Sequence, residues 1–259
     1  MEKVKIYCAF HKPYPTVDNS LIVPILMGNI KKYASILNYP TDDVGDNIAD
    51  LNYTFCELTA LYWIWKNDKS SEIIGLCHYR RYFDLLQETF SYKGLYDGGI
   101  FYNINMNRIQ NMYKKIKTED VINQLEGYDF LMADFYHMRI SMKHNYCSIH
   151  YPSDWALMHD CLKKLYPDYY RTALTFFDKS TMMPCNMFIA TKKSFHKMME
   201  WLFPLLFEIY KHIDLKDRST YQKRAIGFMS ERLVNLYIEH NQLKVKRLPV
   251  LFAENVIVK

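Results

Sequence analysis

Short apolar runs closed by polar or turn-forming residues alternate along this chain with longer segments whose apolar positions recur every three to four residues. Runs of the first kind read as buried strands and those of the second as amphipathic helices. Residues 4–10 (VKIYCAF), 73–77 (IIGLC), 128–133 (YDFLMA) and 185–190 (CNMFIA) are therefore expected strands, and 244–252 carries a last one. Residues 21–26 are apolar too, but Pro24 lacks the amide that a central strand needs, which leaves an edge position. Helices are expected over 53–66, where Leu58, Leu61, Tyr62 and Trp65 share a face, and over 106–125, 153–165, 193–212 and 224–240. Ser153 suits an N-cap, Pro167 a stop and Pro204 a kink. The remaining long stretches, 41–50, 85–107 and the histidine-bearing 137–155, show no period and read as loops. Strand and helix alternate from end to end, which predicts an α/β protein with a mainly parallel central sheet and helices on both faces. No repeat, low-complexity tract or linker breaks the pattern, so residues 1–259 form one domain with an aromatic-rich insertion.

Composition narrows the class. At 49% hydrophobic and 24% charged residues the chain is globular rather than disordered. A net charge of +5 favours anionic partners mildly, but the basic residues are scattered among acids and leave no nucleic-acid footprint. The 22 Tyr and 15 Phe suit a sugar or nucleobase site as well as a core. Six cysteines without a C-x-x-C pair read as reduced thiols of a cytosolic protein. Residues 1–5 lead straight into a strand without an apolar signal region, and no apolar run reaches membrane-spanning length, so neither a leader nor a transmembrane helix is expected.

The chemistry gathers at strand ends. The apolar run 73–77 ends abruptly in His78-Tyr79-Arg80-Arg81. Ligands of open α/β sheets bind beyond the carboxyl ends of the strands, so a cationic fork stands where it can meet an anion. Two guanidiniums beside a histidine match a diphosphate. Similar strand-end or helix-start positions hold His11, Asp46 and Asn47, Asp134, Asn186, and Ser230-Glu231-Arg232. His137, His144 and His150 lie seven and six residues apart, a spacing that fits no compact zinc set; His150 with Asp154 suits a general base better. Gly-x-Gly-x-x-Gly, Walker and Gly-x-Ser-x-Gly motifs are all absent, which disfavours dinucleotide, P-loop and serine-hydrolase chemistry.

Six blocks in order, GDNI (45–48), CELTALYW (56–63), GLCHYRRYF (75–83), NMFI (186–189), WLF (201–203) and SERL (230–233), carry a resemblance that spans nearly the whole chain. The sequence resembles a bacterial family long catalogued as a domain of unknown function and grouped with capsular and exopolysaccharide biosynthesis proteins. The block order is also similar to the Rossmann-like GT-A fold of glycogenin and the lipopolysaccharide galactosyltransferases. That resemblance implies a glycosyltransferase moving a sugar, galactofuranose or galactose among those implied, from a nucleotide-diphosphate donor, with uridine the expected base.

By position, His78-Tyr79-Arg80 stands where GT-A enzymes carry a manganese-binding Asp-x-Asp, while Asn186 and Ser230-Glu231 match the later strand and helix start. Exchanging carboxylates for cations predicts metal-independent stabilisation of the leaving group, with manganese disfavoured and no other cofactor. Arg80, Arg81 and His78 would hold the diphosphate, and His11, Asp46 and Asn47 the nucleoside. Asn186, Ser230 and Arg232 would contact the sugar or acceptor, and Glu231, Asp134 or the His150/Asp154 pair would serve as base. The implied acceptor is a saccharide of capsule, exopolysaccharide or O-antigen; a lipid-linked one would bring this cytoplasmic enzyme to the inner membrane face. The rivals are a non-catalytic assembly protein that binds nucleotide sugar or polysaccharide, and a sugar nucleotidyltransferase.

Overall fold

In the computed structural model, residues 3–87 and 101–253 are described. Eleven strands run in chain order: β1 (Val4–Phe10), β2 (Ile22–Leu26), β3 (Ile73–His78), β4 (Arg81–Phe83), β5 (Phe101–Ile104), β6 (Phe130–Ala133), β7 (Tyr136–His137), β8 (Thr181–Met182), β9 (Phe188–Thr191), β10 (Val245–Leu248) and β11 (Val250–Ala253). The main body of the sheet reads β2-β1-β3-β9-β6-β10. A wing of β4, β11 and β5 continues from the end of β3, where His78 pairs with Arg81. β7 and β8 form a separate two-stranded ribbon.

Each central strand is apolar on both sides because each side meets a core. In β1, Tyr7 and Ala9 face one core while Val4, Ile6, Cys8 and Phe10 face the other. In β3, Ile74 and Leu76 point one way, Ile73 and Cys77 the other. Strands buried on two faces read as continuous apolar runs, which is why these were visible in the sequence. Between them Gly75 is needed for space: a Cβ there would lie 2.8 Å from Ile189 Cγ1.

The expectation of a mainly parallel sheet holds for β2-β1-β3 and for β6-β10 and gives way at β9, which runs antiparallel to both β3 and β6. A strand that runs backwards begins at the edge where its neighbours end, so Cys185 and Asn186, just before β9, reach the carboxyl end of β3. Other expectations change locally. The segment 53–66 is broken: a short helix Asn52–Phe55 stops at Cys56, and Leu58–Asn67 starts afresh. Residues 106–125 split into Met106–Tyr113 and Thr118–Leu125. Within 137–155, expected as a loop, Met142–Ile149 is a helix capped by Ser141, whose hydroxyl accepts from the His144 amide.

The next helix, Pro152–Leu165, opens on Pro152 at its first turn rather than on a Ser153 cap. Pro167, expected as a stop, begins a further helix, Pro167–Phe176, in the same way, because the first turn has no use for the missing amide. Pro249 divides the last expected strand into β10 and β11. Residues 88–100, most of the expected aromatic excursion, lie outside the described residues. Among the described residues no helix is long and apolar enough to cross a membrane.

Candidate active-site cleft

A cleft of about 470 Å³ opens where β1, β2 and β3 end and β9 begins. His11, Met27, His78 and Cys185 come from those strand ends. The opposite wall is the start of the helix Ala225–His240, with Gly227, Phe228 and Glu231, and the turn before it, with Lys223 and Arg224. Asn52, Cys56 and Glu57 close the side where the expected helix 53–66 breaks. The two walls touch at Gly227, where a Cβ would stand 3.2 Å from Cys56 Sγ.

Among the candidates from the sequence, His11, His78, Arg81 and Glu231 line the cleft. The buried His78 ring sits with Nε2 2.7 Å from the Cys185 carbonyl, a bond that requires the ring N–H to donate. Burial, reinforced by Arg81, pushes its pKa down to about 3, so His78 is neutral and the fixed positive charge comes from Arg81, Arg224 and Lys223. Glu231 keeps 23% of its side chain exposed. Its Oε1 accepts the Cys185 amide at 2.9 Å and its Oε2 lies 3.2 Å from Arg232 Nη1. Desolvation holds its pKa above the usual carboxylate range; Arg232 opposes that and the charge of Glu57 adds to it.

Asn186 and Ser230 stand behind the wall. Asn186 Nδ2 donates to Glu57 Oε1 at 2.7 Å and to Ser230 Oγ at 2.8 Å, while Ser230 donates to the Gly227 carbonyl. Arg232 points away, with Nη1 on the Phe228 carbonyl and Nη2 on Asn145. Arg80 is drawn to the sheet wing, where Nε donates to the Ala253 carbonyl and the guanidinium lies 4.5 Å from the Phe252 ring.

The structure places the other candidates outside the cleft. Asp46 accepts from Tyr62, and Asn47 caps its own turn through Gly45 and Ala49. Asp134 pairs with Arg247 at 3.0 Å. Asp154 is not paired with His150: it is buried in a two-pronged bond to Arg218 at 2.6 and 2.7 Å. His150 stacks on Phe228 and bonds Gln222. Among the described residues no three His, Cys, Asp or Glu side chains gather as a metal-binding group. The β3 end does not fit manganese: a histidine already bonded to a carbonyl and an arginine stand where carboxylates would be needed.

Sequence reasoning missed Glu57, Asn52, Lys223 and Arg224. Glu57 and Asn52 sit around a helix break that no Gly or Pro announces, and Arg224 reads as an ordinary helix start.

A family model described as a domain of unknown function, DUF4422, matches residues 5–242. The solved apo structure of the bifunctional glycosyltransferase WbbM matches this fold with a TM-score of 0.86 at 30% sequence identity. The match covers 98% of this chain and 46% of the other, so the chain spans about half the length of that protein. No curated protein matches the chain. With the mixed sheet described above, the likeness gives an α/β fold of the GT-A kind.

Proposed function

This chain belongs to the DUF4422 family and has a GT-A-like fold, and from that premise we propose that it is a glycosyltransferase using a nucleotide-diphosphate sugar. One observation carries the reading: a single cleft at the carboxyl ends of β1 and β3 brings Arg81, Arg224 and Lys223 together with the carboxylates of Glu57 and Glu231. A departing diphosphate needs fixed positive charge, and an attacking hydroxyl needs a proton acceptor. The acceptor oxygen bonds to the anomeric carbon as the bond from that carbon to the diphosphate oxygen breaks. The hydroxyl proton passes to Glu231, and the nucleoside diphosphate leaves as an anion held by the arginines.

Among the candidate bases, Glu231 is favoured because it lines the cleft while Asp134, His150 and Asp154 do not. Stabilisation is metal-independent in this proposal, a reading supported by the cationic β3 end. In this proposal His11 and Met27, which line the cleft at the ends of β1 and β2, meet the nucleoside, uridine being the first to test, and galactose or galactofuranose the first sugars. The acceptor is a saccharide of a bacterial surface polysaccharide; where lipid-linked, it brings the enzyme to the cytoplasmic face of the inner membrane.

A ligand that binds the native state raises its melting temperature. Thermal shifts with uridine, guanosine, cytidine and thymidine diphosphates and their hexose conjugates, each with excess chelator, without it and with added manganese, test the donor and the metal together. Selective stabilisation by one nucleotide, undiminished by chelator, is expected. Strict dependence on manganese would overturn the metal-free reading, and stabilisation by none would overturn the donor assignment.

A further inference from the structure

Two corners of the backbone at the cleft are held in conformations that favour glycine, yet neither contains one. Cys56 has φ 53° and ψ −128°, and the consecutive residues Cys185 and Asn186 have φ 76° and 50°. Strain of this kind persists where the surroundings fix it, and it clusters at sites that bind or react. Both corners serve the same side chain. The first turns the chain so that Glu57, the next residue, enters the cleft wall. The second aims the amide of Asn186 at Glu57 Oε1, 2.7 Å away.

Asn186 is 1% exposed, and both hydrogens of its amide are engaged, one by Glu57 and one by Ser230. Its Oδ1 is buried with no hydrogen-bond partner. A buried amide is oriented this way, with one valence left open, only if its N–H groups are what the position requires. It is therefore a support for Glu57 and has no hydrogen to offer a ligand.

A carboxylate fixed next to three cations that receive an anion works against that anion unless a donor group accompanies it. The cations nearest other carboxylates are already paired, Arg232 with Glu231 and Arg218 with Asp154, while Glu57 acts on Arg224 through its charge without an ion pair within 4.0 Å among the described residues. An ionised carboxylate only accepts hydrogen bonds, and the hydroxyls of a sugar attached to the diphosphate are donors delivered to this spot. On the basis of the glycosyltransferase reading above, we propose that Glu57 reads the hydroxyls of the transferred sugar, with Asn186 as its positioning residue. Selectivity follows from the same geometry, because a sugar lacking a hydroxyl where Glu57 expects one leaves a desolvated carboxylate unsatisfied.

Calorimetry separates the sugar from the nucleotide. Wild type, Glu57→Gln and Asn186→Ala are titrated with uridine, guanosine, cytidine and thymidine diphosphates and with their galactose and glucose conjugates, and melting curves check folding. For the nucleotide that wild type prefers, Glu57→Gln, which removes a charge opposing the anion, is expected to bind the bare diphosphate at least as tightly as wild type and to weaken the sugar conjugate at least about tenfold, the size of one charge-assisted hydrogen bond. Asn186→Ala is expected to lower the same ratio by a smaller factor without moving the bare diphosphate. Should Asn186→Ala fail to fold, Glu57→Gln decides alone. Equal losses for both ligands, or none for either, would overturn the role of Glu57 and leave the glycosyltransferase reading standing. If wild type binds no sugar conjugate, that reading falls and this one with it.

Discussion

Two polar clusters of this molecule differ in whether they face the cleft or close upon themselves. Outside, Asp154 and Arg218 satisfy each other in a buried two-pronged pair, and His150 is stacked on Phe228 and bonded to Gln222. Inside, Glu57, Glu231, Arg81 and Arg224 all border an open cleft. Both clusters combine carboxylates with arginines. The lesson is that chemistry of this kind is marked by charged groups of both signs facing one cavity, whereas a closed pair holds helices together.

That contrast is broken most sharply by exchanging one acid on each side. Asp154→Ala leaves Arg218 buried and unpaired, which should cost about 3–5 kcal/mol and lower the melting temperature by roughly 10 °C. Turnover per folded molecule should stay at wild type, as denaturation curves and active-site titration would check. Glu231→Gln should reverse the balance, lowering kcat about 10²–10⁴-fold with a smaller fall in melting temperature than Asp154→Ala, because Arg232 keeps its bonds to the Phe228 carbonyl and Asn145. If Asp154→Ala abolished turnover in folded protein, the division between the clusters would be wrong.

The next effect is pH dependence. A base must be deprotonated, so the acid limb of the kcat/KM profile should lie above the ordinary glutamate range, following the raised pKa of Glu231. The groups facing Glu231 are Arg232, Glu57, Cys185 and Arg81; Glu57 holds the limb up, and the two arginines pull it down. A limb within the range of a free glutamate would point to another base. Arg81→Ala should weaken the nucleotide about 10- to 100-fold, the equivalent of roughly 1.5–3 kcal/mol for a charge-assisted bond. An unchanged dissociation constant would remove Arg81 from the diphosphate site.

The smallest effect concerns His78. Its pKa is about 3 in the folded chain against 6.5 for an unperturbed histidine, so the unfolded chain binds more protons between those values. Its stabilising contribution is complete above pH 6.5 and is lost as pH falls toward 3. Over the first unit below pH 6.5 the loss should stay under about 1.4 kcal/mol. His78→Gln, which can still donate to the Cys185 carbonyl, should flatten that slope in denaturant titrations; an unaltered slope would mean that His78 takes up its proton as readily in the folded chain as in the unfolded one.

What the sequence revealed follows the same physics. Strands buried on both faces announced themselves as apolar runs, and the abrupt change to charge at His78 placed Arg81 at the cleft. Arg80 is the same residue type with another destination, since it lies in the turn between β3 and β4 and its Nε donates to the Ala253 carbonyl. Asp46, Asn47 and Asp134 lay at suitable loop positions yet are consumed by bonds to Tyr62, to their own turn and to Arg247, which no pattern of residue types discloses. Glu57 stayed hidden because Cys56, a residue with no turn propensity, makes the break. The paired cluster of Asp154 with Arg218, 64 residues apart, depends on tertiary packing alone.

The layout of the sheet also sets a tempo across the cleft. β3 is flanked along its length by β1 and β9, whereas β2 has only β1 as a neighbour among the described strands. Amide protons of β3 should thus trade with solvent only when the whole domain opens, while those at the β2 rim trade through small excursions. Met27, at the exit of β2, lines the cleft and donates its amide to the Phe10 carbonyl at 2.9 Å. This one amide therefore sits on the fast side of the molecule and against the ligand at once, a built-in clock whose slowing would register occupancy.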